Sequence, residues 1–191
     1  MKLRVLLTLA AVFVVGFIFY LAFDGMSKVG INQGYEPDQP IHFSHKIHVG
    51  ENEIQCMYCH SGAEKSRHAG IPSASTCLNC HTIIKKDSPE IQKIVQAIKD
   101  KKPIKWNKVH RMADFAYFSH EQHVGSGKIS CQKCHGPVQT MTRMRQEKDL
   151  TMGWCIDCHR ESDVVVHGKT DEKLIKKVSD VGGMDCAKCH Y

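Results

Sequence analysis

The stretch FSHKIHVGENEIQCMYCH, residues 43–60, is the part of this sequence that decides the fold. It ends in C-x-x-C-H, and two histidines three residues apart precede that motif. A second stretch of the same length, FSHEQHVGSGKISCQKCH at residues 118–135, matches it at the Phe, Ser, His, Val, Gly, Ile and Cys positions, 75 residues later. Because both stretches carry them, the two histidines belong to the motif.

All ten cysteines lie in five C-x-x-C pairs, and a histidine follows each pair at once. This pattern is typical of c-type haem attachment, because two thiols can add to the two vinyl groups of a porphyrin while the histidine binds its iron. The sequence therefore predicts five covalently attached haem c groups. The predicted attachment residues are Cys56, Cys59, Cys77, Cys80, Cys131, Cys134, Cys155, Cys158, Cys186 and Cys189, and the predicted proximal iron ligands are His60, His81, His135, His159 and His190.

Other uses of cysteine fit this pattern less well. Five disulfides would not require a C-x-x-C-H context for every cysteine. Zinc sites usually pair two C-x-x-C units, and a redox dithiol needs a βαβ context. The net charge of +6 does not call for nucleic acid as a partner. The propionates of five haems would bring about ten carboxylates, which the lysines and arginines can balance.

The N-terminus, residues 1–25, is predicted to form a transmembrane signal-anchor helix. Lys2 and Arg4 precede an uncharged run of 19 residues, from Val5 to Phe23, and no A-x-A cleavage signal follows. This run exceeds the apolar region of a cleaved signal peptide and can span a bilayer. The positive charges predict a cytoplasmic N-terminus, a single pass through a bacterial inner membrane and a periplasmic haem domain. The alternative is the buried helix of a soluble protein.

The rest of the chain is predicted to be mainly α with long loops and almost no sheet. Residues 26–40 are interpreted as a linker and residues 41–191 as a pentahaem cytochrome c domain. This domain contains repeated two-haem units at 43–81 and 118–159 and a fifth haem site at 186–190. About 30 residues per haem cannot build an ordinary core. The haems are therefore expected to stack as the core.

Two helices are predicted within this domain. The first begins at Pro89 with Ser88 as its cap and ends before Pro103. The second begins after Thr170. The apolar faces expected to point inward are Ile91, Ile94, Val95 and Ile98 in the first helix, and Leu174, Ile175 and Val178 in the second.

The repetition predicts four distal iron ligands. Two histidines three residues apart on one helical turn point in different directions, so they can reach two different haems. His45 and His120 are predicted to bind the haem attached next within their own unit. His48 and His123 are predicted to bind neighbouring haems.

The fifth distal ligand stays open between several residues. His110, just before the second unit, is the first choice. Thioether ligation also occurs in cytochromes c, so methionines compete with it. The other candidates are Met141, Met144, Met152 and His167, whereas His42 and His68 are expected to be surface or propionate-bonding residues.

The sequences FSHKIHVG and FSHEQHVG resemble the F-x-H-x-x-H signature of small multihaem cytochromes of the c3/c7 type. WNKVHRMADFAYFSHEQHV, CHGPVQTM and LTMGWCIDCHR resemble more specifically the pentahaem cytochrome c subunit (ActA) of alternative complex III. One N-terminal transmembrane helix and five C-x-x-C-H sites extend this resemblance over essentially the whole chain.

The resemblance implies a non-catalytic electron-transfer subunit of a quinol-oxidising respiratory complex, with no catalytic residues of its own. The implied partners are an iron–sulfur subunit, polytopic quinol-oxidising subunits and a monohaem cytochrome c. Electrons would pass toward that cytochrome or a terminal oxidase.

Two other functions are weighed against it. A stand-alone membrane-anchored multihaem quinol dehydrogenase feeding a periplasmic reductase would share the anchor and the haems, but it lacks the repeated FSHxxHVG units. A multihaem reductase of nitrogen or sulfur oxyanions needs an open iron position, often marked by lysine in place of the motif histidine. All five motifs here end in histidine.

Overall fold

The computed structural model describes residues 2–167 and 173–190 of the chain. It divides into two compact units, Met1–Ile31 and Asn32–Tyr191. The first unit contains one long helix. The second contains all the C-x-x-C-H motifs.

Helix α1 (Lys2–Ser27) forms most of the first unit. Its segment Leu3–Ser27 is long and apolar enough to cross a membrane, and none of this candidate span is buried. Its length and composition suit a membrane anchor or a signal sequence. At its end, Lys28 pairs with Asp24 at 2.7 Å.

The second unit is built from short helices joined by long loops, and the chain as a whole is about 48% helical. This confirms the predicted mainly α class. The helices are α2 (Cys56–Cys59), α3 (Ala74–His81), α4 (Pro89–Lys99), α5 (Cys131–His135) and α6 (Met152–Glu161). Single π-helical turns occupy Lys46–Glu51 and Glu121–Ser126, and 3-10 turns occupy Val138–Thr140, Ser179–Val181 and Cys186–Lys188.

Helix α4 confirms the first predicted helix. Ser88 precedes it as the N-cap residue with extended backbone, but its hydroxyl makes no capping hydrogen bond. Its carbonyl accepts the first helical bond, from the Gln92 N–H at 2.9 Å. Ile91 and Ile94 are buried and pack with Ile41. The predicted apolar face is therefore only half buried, since Val95 and Ile98 remain exposed.

The prediction of a helix after Thr170 is wrong where the structure describes it. Strands β1 (Asp163–His167) and β2 (Lys173–Lys177) form an antiparallel hairpin, with Asp163 opposite Lys177. Thr170 itself lies outside the described residues. The three consecutive valines of β1 favour a strand and give β2 a partner, whereas the short run around Ile175 has too few turns to specify a helix.

The polypeptide has a small apolar core of its own. A domain of about 160 residues normally buries most of the surface that its unfolded chain exposes. In the described residues only six apolar side chains are buried, so further apolar groups are needed to complete the core. They are Ile41, Ala63, Ile91, Ile94, Val109 and Met141.

Each π-helical turn lies on the backbone of the other repeat. In the first turn, the Lys46 N–H donates to the Met141 carbonyl at 2.9 Å. In the second, the Glu121 N–H donates to the Ser66 carbonyl at 3.0 Å. The offset of 75 residues between the two repeats also relates both donors and both acceptors. The two repeats therefore pack reciprocally, as halves related by an approximate two-fold axis.

The glycine of each HVG sequence lies at the closest point of this packing. A Cβ on Gly125 would lie 2.5 Å from the carbonyl oxygen of Glu64, and a Cβ on Gly50 would overlap the carbonyl oxygen of Gln139. These positions obey the same offset of 75 residues. Glycine is therefore required in both turns by the approach of the other repeat.

Part of the predicted linker belongs to the second unit. The Gly34 N–H donates to the Gln146 carbonyl at 2.7 Å, and the Gln146 N–H donates to the Tyr35 carbonyl at 3.0 Å. Arg143 forms ion pairs with Glu36 and Asp38. The part of segment 26–40 that begins at Asn32 is thus held to the second unit by hydrogen bonds and ion pairs.

We expect Gly50→Ala and Gly125→Ala each to lower the free energy of unfolding by about 1–3 kcal/mol, because the added methyl group must push two backbones apart. Denaturant unfolding followed by circular dichroism would measure this loss. The matched control is Gly153→Ala in α6, where the nearest atom lies 4.0 Å from the new Cβ. Equal stabilities of all three variants would contradict reciprocal packing.

Candidate haem sites

The phenylalanine of the first repeat holds the two histidines that follow it. Phe43 stacks on the ring of His48, with centroids 4.2 Å apart, and meets His45 edge-on at 4.9 Å. The Nδ1 atom of His48 lies 2.8 Å from the carbonyl oxygen of Ser44. A carbonyl can only accept, so Nδ1 carries the proton and Nε2 is free to bind a metal.

The second repeat makes the same contacts. Phe118 stacks on His123 at 4.4 Å and meets His120 edge-on at 4.9 Å. Nδ1 of His123 lies 2.8 Å from the carbonyl oxygen of Ser119, and Nδ1 of His120 lies 3.0 Å from that of Arg67. In both repeats the phenylalanine ring therefore contacts both imidazoles, and the backbone carbonyl of the next residue orients the second one.

The π-helical turns aim the two histidines in different directions. The N–H of Asn52 donates to the carbonyl of Ile47, and the N–H of Gly127 donates to that of Gln122, which are i→i+5 bonds. This turn is wider than an α-helical turn, and such turns are frequent at functional sites. Residues three apart diverge further on it, so one segment can serve two sites.

Three of the repeated histidines lie opposite motif histidines at a spacing that suits a shared metal. Two imidazoles that bind one iron from opposite sides, each through a nitrogen about 2 Å from the metal, have ring centres roughly 6 Å apart. The observed centroid distances are 6.1 Å for His48 and His81, 6.4 Å for His120 and His135, and 6.0 Å for His123 and His159.

Most motif histidines direct Nδ1 at a backbone carbonyl. The hydrogen bond from Nδ1 to the carbonyl sets the tautomer of the imidazole and leaves Nε2 as the metal-binding atom. The contacts join His60 to Gly70 at 2.7 Å, His81 to Ile84 at 2.8 Å, His159 to Gly183 at 2.6 Å and His190 to Phe115 at 3.4 Å.

The motif histidine of α5 makes a different contact. Nδ1 of His135 lies 3.0 Å from Nε2 of His110, and the two rings meet edge-on with centroids 4.4 Å apart. Burial lowers the pKa of His110 to about 4 and, with the charge of His110, lowers that of His135 to about 3. Both imidazoles are therefore neutral at pH 7. His110, predicted as a distal iron ligand, thus contacts a proximal one.

His45 lies beside the first motif. Burial first, and then the charges of His60 and His48, lower its pKa to about 4. Its Nδ1 atom is buried with no hydrogen-bond partner. The ring is therefore a neutral imidazole close to His60, although its orientation is less constrained than that of His120.

The remaining candidates for the fifth distal ligand are spread over the domain. Met141 is buried, and its carbonyl receives the bond from Lys46. Met152 is 65% exposed, and Met144 is half-buried. The side chain of His167 lies outside the described residues.

The two histidines assigned to the surface are indeed exposed. His42 lies 3.3 Å from Glu90, whose pKa is lowered to about 2 by hydrogen bonds from Lys93 first and then from the His42 backbone and side chain. The backbone N–H of His68 donates to the hydroxyl of Ser66 at 3.3 Å.

The five motifs are numbered sites 1 to 5 in chain order, and their thiols show which sites are neighbours. Burial raises the pKa of the Cys59 thiol, and the nearby Cys77 and Cys80 raise it further, so sites 1 and 2 adjoin. Burial also raises the pKa of Cys131, and the nearby Cys56 raises it further. Sites 1 and 3, from different repeats, therefore meet.

The other sites continue this series. The pKa of Cys134 is raised by burial and then by Cys158 and Cys155, so site 3 adjoins site 4. The pKa of Cys155 is raised by burial and then by Cys189, so site 4 adjoins site 5. The spatial order is 2–1–3–4–5.

The thiols and imidazoles are arranged in pairs. All ten thiols are free, and none forms a disulfide. In the part of the chain that the structure describes, no three His, Cys, Asp or Glu side chains cluster as the ligands of a bare metal ion. Paired imidazoles about 6 Å apart beside paired thiols instead fit an iron inside a porphyrin.

These features define a multihaem cytochrome c. Residues 116–191 match the family described as cytochrome c7 and related cytochrome c. Its cofactor is covalently bound haem c.

The chain is also homologous to the multihaem cytochrome c subunit of menaquinone reductase from Nitratidesulfovibrio vulgaris. The two are 34% identical over 127 residues, which is 66% of this chain and 59% of that protein. The chain thus spans under two thirds of the length of this relative.

Sequence reasoning missed Gln146. This side chain is fully buried, its Oε1 accepts from the Arg111 N–H at 2.8 Å, and its Nε2 donates to the carbonyls of Lys148 and Asp149. It stands in the charged stretch TRMRQEKD, whose composition is typical of a surface loop. No local signal distinguishes it.

We expect His48→Ala to open one coordination position at site 2, because the ring opposite His81 is removed. Electron paramagnetic resonance of the oxidised protein should then show a high-spin ferric signal that the unaltered protein lacks. His42→Ala, which removes an exposed histidine, is the control. A His48→Ala protein whose haems all stay low-spin would refute this ligand pair.

Proposed function

We propose that this chain is a membrane-anchored pentahaem cytochrome c that relays electrons within a quinone-linked respiratory complex. The observation that carries the proposal is the series of sites 2–1–3–4–5, in which a thiol of each site lies close enough to a thiol of the next to raise its pKa or have its own raised. A series of adjoining sites suits electron transfer over a distance, whereas an enzyme of substrate chemistry needs one open site.

The proposed ligands follow from the ring contacts and the motifs. Each site takes two cysteines for covalent attachment and its motif histidine as proximal ligand. The proposed distal ligands are His45 for site 1, His48 for site 2, His120 for site 3 and His123 for site 4.

Bound haem supplies a one-electron carrier, and the chain determines how each carrier behaves. The phenylalanines hold the imidazoles apart, and backbone carbonyls fix their tautomers. Two imidazoles on one iron close both axial positions and keep water and substrates away. We therefore infer a non-catalytic subunit.

The anchor helix α1 and the resemblance to ActA favour alternative complex III as the complex. The haem domain would lie in the periplasm, above an inner membrane that α1 crosses once. Its partners would be an iron–sulfur subunit, polytopic quinol-oxidising subunits and a monohaem cytochrome c or terminal oxidase.

A second candidate is a subunit of a menaquinone reductase, favoured by the similarity to the subunit from Nitratidesulfovibrio vulgaris. The relay would be the same, but electrons would run toward the quinone rather than from the quinol. A stand-alone multihaem quinol dehydrogenase is the third candidate. Such dehydrogenases lack the repeated FSHxxHVG units, so the repeat does not favour this candidate.

We expect the chain purified from its native membrane to carry five covalent haems, because every motif is complete. All should be low-spin, because sites 1 to 4 each have a second imidazole and the methionines and His167 named above can supply a sixth ligand to site 5. Mass spectrometry and electron paramagnetic resonance would count and classify them. Fewer than five haems, or a high-spin ferric signal, would contradict the assignment.

The subunit assignment has its own test. A tagged chain should co-purify with the partners named above, and the isolated chain should not oxidise menaquinol. In the intact complex, reduction of the haems by menaquinol supports a quinol-oxidising complex. Their oxidation by menaquinone supports the reductase. Quinol oxidation by the isolated chain would overturn the subunit assignment.

A further inference from the structure

One motif histidine has an imidazole as its second partner. The other motif histidines, at sites 1, 2, 4 and 5, each direct Nδ1 at a backbone carbonyl. At site 3, Nδ1 of His135 instead lies 3.0 Å from Nε2 of His110. His135 also lies beside His120, whose ring is parallel to it within 5° at a centroid distance of 6.4 Å. Site 3 therefore already has a pair of imidazoles without His110.

We propose that His110 is a positioning residue for site 3, where its Nε2 accepts the Nδ1–H of His135, and that it does not bind an iron. This rests on the proposed function, in which His135 is the proximal ligand of a haem. A histidine that binds iron through Nε2 carries its proton on Nδ1 and can only donate there. The lone pair on Nε2 of His110 is then engaged in the hydrogen bond.

The residues before and after His110 in the sequence hold it in this position. Val109 is buried. The Arg111 N–H donates at 2.8 Å to Oε1 of the fully buried Gln146. The amide of Gln146 is itself held by the carbonyls of Lys148 and Asp149. Loss of any one of these bonds would leave a buried polar group unpaired, which makes the arrangement rigid.

An imidazole acceptor changes the iron ligand more than a carbonyl does. A neutral imidazole nitrogen is the more basic acceptor, so it draws the Nδ1 proton of His135 more strongly and raises the basicity of the ligand. A more basic ligand stabilises ferric over ferrous iron. The haem at site 3 is therefore held at a lower reduction potential than a carbonyl partner would give.

The test compares His110→Leu, which removes the acceptor, with His110→Gln, which retains an acceptor oxygen, in the full-length chain. Redox titration followed in the haem absorption bands should show one midpoint moving to higher potential in His110→Leu and moving less in His110→Gln. All haems should remain low-spin by electron paramagnetic resonance. His42→Leu, at an exposed position, is the control and should leave every midpoint unchanged.

Two outcomes would overturn the proposal. A new high-spin ferric signal in either variant would make His110 an axial ligand. Unchanged midpoints in both variants would remove its influence on site 3. If His110→Leu does not assemble, His110→Gln and Gln146→Leu answer the same question, because Gln146→Leu frees the segment that holds His110. Missing haems in the unaltered protein would count instead against the proposed function.

Discussion

Each FSHxxHVG turn rests on the backbone of the other repeat, and this reciprocal contact is the constraint on which the rest of the domain depends. It requires glycine where the two backbones approach, at Gly50 and Gly125. It also brings the first thiol of each repeat together, since Cys56 lies close enough to Cys131 to raise its pKa. Neither repeat could hold its histidines in place alone, because the surface that supports each turn belongs to the other.

The small apolar core explains why so much of the order comes from hydrogen bonds. Few side chains are buried, so backbone carbonyls, the phenylalanines of the two repeats and the fully buried Gln146 fix the positions of the rings. Gln146 joins two other segments to its own, since its backbone bonds to Gly34 and Tyr35 and its side chain accepts from Arg111. A buried amide with every bond satisfied specifies one arrangement more strictly than an apolar side chain would.

Local spacing was enough to predict part of this structure. The haem-binding character, the repeats and helix α4 follow from motifs a few residues long. The hairpin of β1 and β2 did not, because an apolar run of two or three residues becomes a strand only when another segment offers it a partner. The contact of His110 with His135 also escaped prediction, since 25 residues separate them and neither spacing nor composition encodes the approach. Gln146 escaped for the same reason.

The approximate two-fold axis has a consequence for direction. A duplicated unit that packs on its copy places two equivalent sites next to each other. Two sites with equal reduction potentials give electron transfer between them no preferred direction. In this chain the two copies differ in the group that contacts Nδ1 of the motif histidine. Tyr35 lies 75 residues before His110 and takes its place in the first copy. Nδ1 of His60 therefore contacts the backbone carbonyl of Gly70 and not an imidazole. One substituted acceptor can thus give polarity to an otherwise symmetrical pair of sites.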